Sequence, residues 1–139
     1  MRTRHAVPAI VAAWLLSCPV QAQAMVEVTR GGETTVFGSC MPTLAVTNRS
    51  DRVVDFLQVD LAVRFRDGHE SIVELKSAYR YGVLRPIAPG ASGVLKINAD
   101  ESVPLGGACG DVVGLRATVS VCESGGQDCR DTVRVDIGR

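Results

Sequence analysis

The chain lacks any excess of charge. Across 139 residues, 15 Lys and Arg stand against 15 Asp and Glu. Phosphate binding draws on a basic surplus, so nucleic acid is excluded as the main partner. Aromatic residues make up only 4%, and histidines number two. A copper or zinc site of the cupredoxin or dismutase kind needs several histidines. No Cys-x-x-Cys occurs, which argues against a zinc cluster and a redox-active dithiol. There is no G-x-S-x-G, no G-x-x-x-x-G-K-[ST] and no G-x-G-x-x-G. No cofactor is therefore expected. Internal repeats, linkers and low-complexity tracts are absent too. With 46% hydrophobic and 22% charged residues the chain is not a disordered one. It is long enough for one core and too short for two ordinary domains.

The first segment reads as an address. Residues 1–24 begin with Arg2 and Arg4, continue through the apolar run Ala9 to Leu16, and end at Ala22-Gln23-Ala24. That is the layout of a bacterial-style secretory signal peptide with a small-x-small cleavage site. The apolar run is too short to cross a bilayer, and no later stretch is long and apolar enough. Leu15-Leu16-Ser17-Cys18 loosely matches a lipobox. Pro19 and the site at Ala24 weigh against it. The chain is thus expected to be exported, periplasmic or secreted, with no membrane anchor unless Cys18 is lipidated. The domain is expected to span 25–139. Without Arg2 and Arg4 its formal charge is −2.

Four cysteines follow that segment: Cys40, Cys109, Cys122 and Cys129. An even count in an exported chain reads as disulfides. Cys122 and Cys129 flank the turn-rich Glu-Ser-Gly-Gly-Gln-Asp, which predicts a bridge across a hairpin. Cys40 then pairs with Cys109. Chain entropy gives about 4 kcal/mol for the long loop and about 2.5 kcal/mol for the short one.

The hydrophobic pattern has period two, bounded by turn signals. Val26 and Val28, then Thr35 to Phe37, predict a first strand broken at Gly31-Gly32. Thr43 to Thr47 is the second, closed by the turn cluster Asn48 to Asp51. The Asn48-Arg49-Ser50 sequon is read as turn chemistry rather than glycosylation. Leu57, Val59, Leu61, Val63 and Phe65 give the clearest alternation, ended by the Asp67-Gly68 turn. Residues 71–81 fit two patterns. Ser71 and Glu74 match a helix capping box, while Val73, Leu75, Tyr79 and Tyr81 fit a strand face. The neighbouring strands favour a strand. Val94 to Asn98, Val113 to Val121 and Val133 to Ile137 complete about seven strands. The expected fold is all-β, a two-sheet antiparallel sandwich of immunoglobulin or fibronectin III type. In it the two bridges clamp opposite ends. One detail conflicts: Cys122 falls on the polar face of the sixth strand and Cys129 on the apolar face of the seventh. A bulge between Cys129 and Val133, or a bridge beyond the regular ladder, would resolve it.

The stretch Leu44 to Asp51, then Leu57 to Phe65, Asp67-Gly68 and Pro89-Gly90, resembles small bacterial exported immunoglobulin-like domains of the FxLYD type. With its cysteine before the second strand, the chain is also similar to the interleukin receptor mimic protein A family. The likeness covers roughly residues 40–100. It implies a fibronectin III-like secreted binding protein with protein partners and, in one form, a strand-swapped homodimer. It carries over no functional residue.

Catalysis is not expected. A serine triad needs an oriented histidine, and His69, beside Asp67 and Glu70, is the only one after the leader. The collective feature is a set of arginines. If the third, sixth and seventh strands share a sheet, then Arg64, Arg66, Arg116 and Arg134 face outward together. The plainer reading is an ordinary charged surface balanced by Asp60 and Asp136; the sharper one is a docking face for an acidic protein or glycan. Open sheet edges are a second candidate. The expectation is a protein-binding module acting through a sheet face or edge. The alternative is a periplasmic accessory factor, chaperone-like or inhibitory.

Overall fold

The chain runs through β1 (Val26–Val36), β2 (Ser39–Asn48), β3 (Phe56–Phe65), β4 (Glu70–Lys76), β5 (Ala78–Tyr79), β6 (Val83–Leu84), β7 (Ser92–Leu95), β8 (Val112–Ser124), β9 (Gln127–Asp128) and β10 (Val133–Asp136). This is a computed structural model that describes residues 26–79, 83–97 and 106–138. The expected signal segment 1–24, with Cys18, lies outside the described residues, as do Tyr81 and Asn98. One sheet has the order β4-β3-β8-β9, the other β10-β1-β2-β7. The two pack face to face as an all-β sandwich, as the alternation predicts.

β3 is the spine. Leu57, Val59, Leu61, Val63 and Phe65 are each no more than 2% exposed. Burying each contributes about 2–3 kcal/mol. They meet Val26 and Val28 of β1, Leu44 and Val46 of β2, and Leu95 of β7 in one apolar cluster. Residues 70–76 are strand, not helix. Val73 and Leu75 point inward while Ile72 and Glu74 stay in water. Ser71 and Glu74 pair with Val63 and Asp60 on β3 instead of capping a helix.

β1 is continuous where a break was expected. At Gly31 and Gly32 it shifts register against β2 and carries on. Gly31 is needed there: a Cβ would lie 2.6 Å from Thr43 Oγ1 and 2.7 Å from the Thr43 carbonyl oxygen. The Thr43 hydroxyl donates to the Gly32 carbonyl at 2.7 Å across the shift. Phe37, expected at the end of the strand, instead makes the hairpin turn with Gly38. It is fully exposed at φ 48°. That left-handed region is costly for an aromatic residue.

Asn48 is turn chemistry indeed. Its buried amide donates to the carbonyls of Arg52 at 2.7 Å and Ile87 at 2.9 Å. Its Oδ1 accepts from the Ser50 N–H at 3.0 Å and the Ser50 hydroxyl at 2.6 Å. One side chain so fixes the β2–β3 turn and ties it to the segment before β7.

Both disulfides form as expected. Cys40 is bonded to Cys109 with Cα atoms 4.6 Å apart, and Cys122 to Cys129 at 5.0 Å. The conflict over Cys122 is resolved within β8. Gln58 pairs with Val121 and Val59 with Val119, so Ser120 is an extra residue. That bulge flips the alternation, and Cys122 and Ser124 turn inward. Cys129 sits just past β9, its N–H donating to the Cys122 carbonyl at 3.0 Å.

The last strand corrects the expected topology. A short 3-10 helix, Arg130–Thr132, carries the chain from Cys129 over to the opposite sheet. There β10 pairs parallel with β1, Val26 against Val133 and Glu27 against Arg134. Only β9 stays beside β8.

Two outcomes follow from these local irregularities. Deleting Ser120 should remove the bulge yet leave Val121 opposite Gln58 and Cys122 opposite Leu57, so Cys122 stays inward and the Cys122–Cys129 bridge still forms. Thiol titration of the unreduced variant reads this, and two free thiols would contradict it. Phe37→Asn should raise unfolding free energy by about 1 kcal/mol, because Asn tolerates positive φ. Urea denaturation measures it, and a loss of stability would show that the ring has a packing role.

Candidate functional site

The four arginines do not form one face. Arg64 and Arg116 lie on the outer surface of the β3–β8 sheet, and Arg66 lies just past β3. Arg134 is on the opposite sheet, because β10 has crossed to β1. Two of those that remain, Arg66 and Arg116, are engaged within the chain. Arg116 Nη2 is 3.2 Å from Glu70 Oε1. Arg66 Nη2 donates to the Gly110 carbonyl at 3.2 Å. Arg64 lies over Gly114, where a Cβ would come 3.5 Å from its Nε. An acidic partner would have to compete with Glu70 and a backbone carbonyl for these cations.

His69 closes the end of the sandwich. Its ring stacks on Phe65 with centroids 4.5 Å apart, and its Nδ1 pairs with Asp67 Oδ1. Gly107 lies beneath: a Cβ there would come within 2.8 Å of the Phe65 ring. A hollow of about 360 Å³ next to it is lined by Phe65, Arg66, Asp67, His69 and Asp111, with Gly106 and Gly107. Among the described residues lining it there is no hydroxyl or thiol for the imidazole to activate. Glu33 lies near Cys40 and Cys109, but both sulfurs are in the bridge, which leaves one carboxylate.

The edge of β8 is different. On one side β8 pairs with β3 from Val112 to Glu123, stepping over Val113 and Ser120. On the other, among the described residues, only Glu123 and Ser124 have a strand partner, β9. The direction of the free groups follows from β3. The Leu57 carbonyl accepts from the Ser77 N–H at 2.9 Å on the β4 side, so the even-numbered residues of β3 address β8. Their partners Gly114, Arg116 and Thr118 give both backbone groups to β3. Leu115, Ala117 and Val119 turn theirs outward.

The interior is also open along this edge. Leu115, Ala117 and Val119 point into the sandwich yet are only half-buried, whereas Leu61 and Val63 beside them on β3 are sealed. Val133, Val135 and Ile137, along and just past β10, are half-buried as well. The far side of the sandwich is stitched shut. Lys76 and Lys96 exchange backbone hydrogen bonds of 3.0 and 3.2 Å between β4 and the end of β7. No described pair does this between β8 and β10. A hollow of about 490 Å³ lined by Val119, Asp128, Arg130 and Asp131 marks the mouth of this seam. Period-two reading assigns faces but not neighbours, so it did not single out β8; the Cys122 phase conflict was its one visible trace.

Comparison with protein-family models, with curated proteins and with solved structures finds no match.

Two carboxylates near these features are held ionised. Asp67 accepts from the His69 backbone N–H and ring, which lowers its pKa below the ordinary 3.8. Asp128 is lowered likewise by the Arg130 guanidinium and backbone N–H. A carboxyl depressed in the folded state stabilises it fully above the unfolded value, and the contribution drains away as pH falls through the folded value. Asp67→Asn with Asp128→Asn should therefore flatten the fall in stability below about pH 4. Denaturation curves from neutral to strongly acidic pH test this, and an unchanged acid limb would contradict it.

Proposed function

We propose that this is an exported protein-binding module, periplasmic or secreted, that takes up an extended segment of a partner along the free edge of β8. The observation that carries the reading is the conjunction of outward-turned backbone groups at Leu115, Ala117 and Val119 with half-exposed apolar side chains on the same residues. An added strand would satisfy the first through ladder hydrogen bonds and cover the second with alternate apolar side chains. Two disulfides suit an oxidising compartment, which supports the export reading. The sandwich is the fold that the likeness to FxLYD-type and interleukin receptor mimic protein A domains implies. A chaperone-like or inhibitory accessory factor would use the same edge on a client chain. The arginine face is the weaker surface, since Arg66 and Arg116 have partners within the chain and Arg134 lies elsewhere.

Proline separates edge from face. Ala117 gives no N–H to β3, so Ala117→Pro keeps that ladder while it removes a donor and thickens the free edge. With the oxidised protein immobilised and exposed to envelope proteins of its own cells, specific partners should be retained by the wild type and lost with Ala117→Pro. The Arg64→Ala, Arg66→Ala, Arg116→Ala triple variant should keep them. Partners held equally well by the proline variant would overturn the proposal.

A further inference from the structure

We infer that the occupant of this edge is a second copy of the chain, its β8 laid antiparallel to the first about a twofold axis through Ala117. The inference rests on the edge being a binding site and names what fills it. The free stretch is bounded at both ends. The short helix Cys109–Asp111, tethered by Cys40, precedes it. At the other end the Cys122 carbonyl is already taken by the Cys129 N–H. Between these stops the residues that turn their backbone groups outward are Leu115, Ala117 and Val119, and Ala117 is the middle one. A twofold axis there fills the stretch in both copies and overruns neither stop.

The side chains select the same register. Residues opposed across an antiparallel pair share a face, so the axis must pass through a residue position. An axis on Arg116 would set Arg116 against its own copy, with like charges directly opposed. An axis on Thr118 would set Gly114 against the occupied Cys122. One on Leu115 would run Val119 against Asp111, within the short helix. With the axis on Ala117, Leu115 meets Val119 on the inner face. On the outer face Arg116 meets Thr118, and Val113, which is 52% exposed, meets Val121. The contact is isologous and closes on itself. Leu115, Ala117 and Val119 donate and accept across the axis, and their half-exposed side chains join into one apolar strip.

Sedimentation equilibrium of the oxidised wild type, with residue-resolved amide exchange, tests this. The expected mass is that of two chains. The amides of Leu115, Ala117 and Val119 should gain protection as concentration rises, while those of Gly114, Arg116 and Thr118 stay protected throughout. Ala117→Pro should give single chains. Thr118→Arg sets its cation beside Asp60 within the chain, which spares the fold, but opposite Arg116 of the second copy. It should weaken pairing roughly tenfold, since two like-charge pairs form at once. Single chains at about 100 μM with fast exchange at Leu115, Ala117 and Val119 would overturn the dimer. A dimer that Thr118→Arg leaves unchanged would overturn this register. If single chains still capture envelope proteins in a manner lost with Ala117→Pro, the edge binds a foreign strand and only the self-pairing falls. If capture survives Ala117→Pro, the edge itself is not the binding site.

Discussion

Everything distinctive in this molecule depends on β8 being hydrogen-bonded along one side and fastened at both ends. β3 fixes its register, the Cys40–Cys109 bridge holds the segment before it, and the Cys122–Cys129 bridge holds its far end. A strand paired on one side ordinarily frays or is covered. Here its ends cannot fray, so backbone groups that would otherwise flicker between water and chain are presented in a fixed row. Edges are commonly blunted with Pro or Lys. Gly114 to Val119 contains neither, and the single charge, Arg116, leans over the outer face toward Glu70.

The departure of β10 is what leaves that row bare. In a closed sandwich the last strand would lie against β8. The bridge at Cys129 stops the hairpin after two residues of β9, and the short helix at Arg130–Thr132 delivers the chain to β1. The opposite sheet gains a parallel edge strand and the β8 sheet loses its cover. Leu115, Ala117, Val119, Val133 and Val135 then line a seam that neither sheet seals. The two surfaces considered for binding differ in kind. Charge attraction at an exposed arginine is screened by salt and, at Arg116, already met within the chain. A backbone edge offers directional bonds that, among the described residues, no strand satisfies.

Much of this was legible in the residues. The alternation of Leu57 to Phe65 gave the spine, because a half-buried strand imposes period two on its own sequence. The turn between Cys122 and Cys129 gave one bridge and so the other. Asn48 and Ser50 announced a turn by their capacity to bond local backbone. What stayed hidden was long-range. Strand Val133 to Ile137 has the same alternation whichever sheet it joins, so grouping Arg134 with Arg64 rested on a topology that the pattern does not encode. The Gly31-Gly32 pair looks like a break in one dimension and is a register shift in two. Phe37 reads as strand by propensity and sits in a turn because Gly38 follows it.

The phase conflict at Cys122 shows how a local contradiction can carry global information. Val121 and Cys122 are adjacent, so strict alternation cannot bury Cys122 on the face that already holds Val119. An extra residue had to lie somewhere, and Ser120 is it. The bulge does more than rescue a bridge. By turning Cys122 inward it lets Cys129 take the Cys122 carbonyl, which ends the free edge at Val121. The length of the edge is therefore set by the oxidation of two thiols. In a reducing compartment the stop at Val121 and the tether before Val112 would both be lost, and the ends of β8 would fray before any partner could read the row. On the proposed function, oxidation and the capacity to bind become one event, which would confine a sticky strand edge to the compartment where the bridges form.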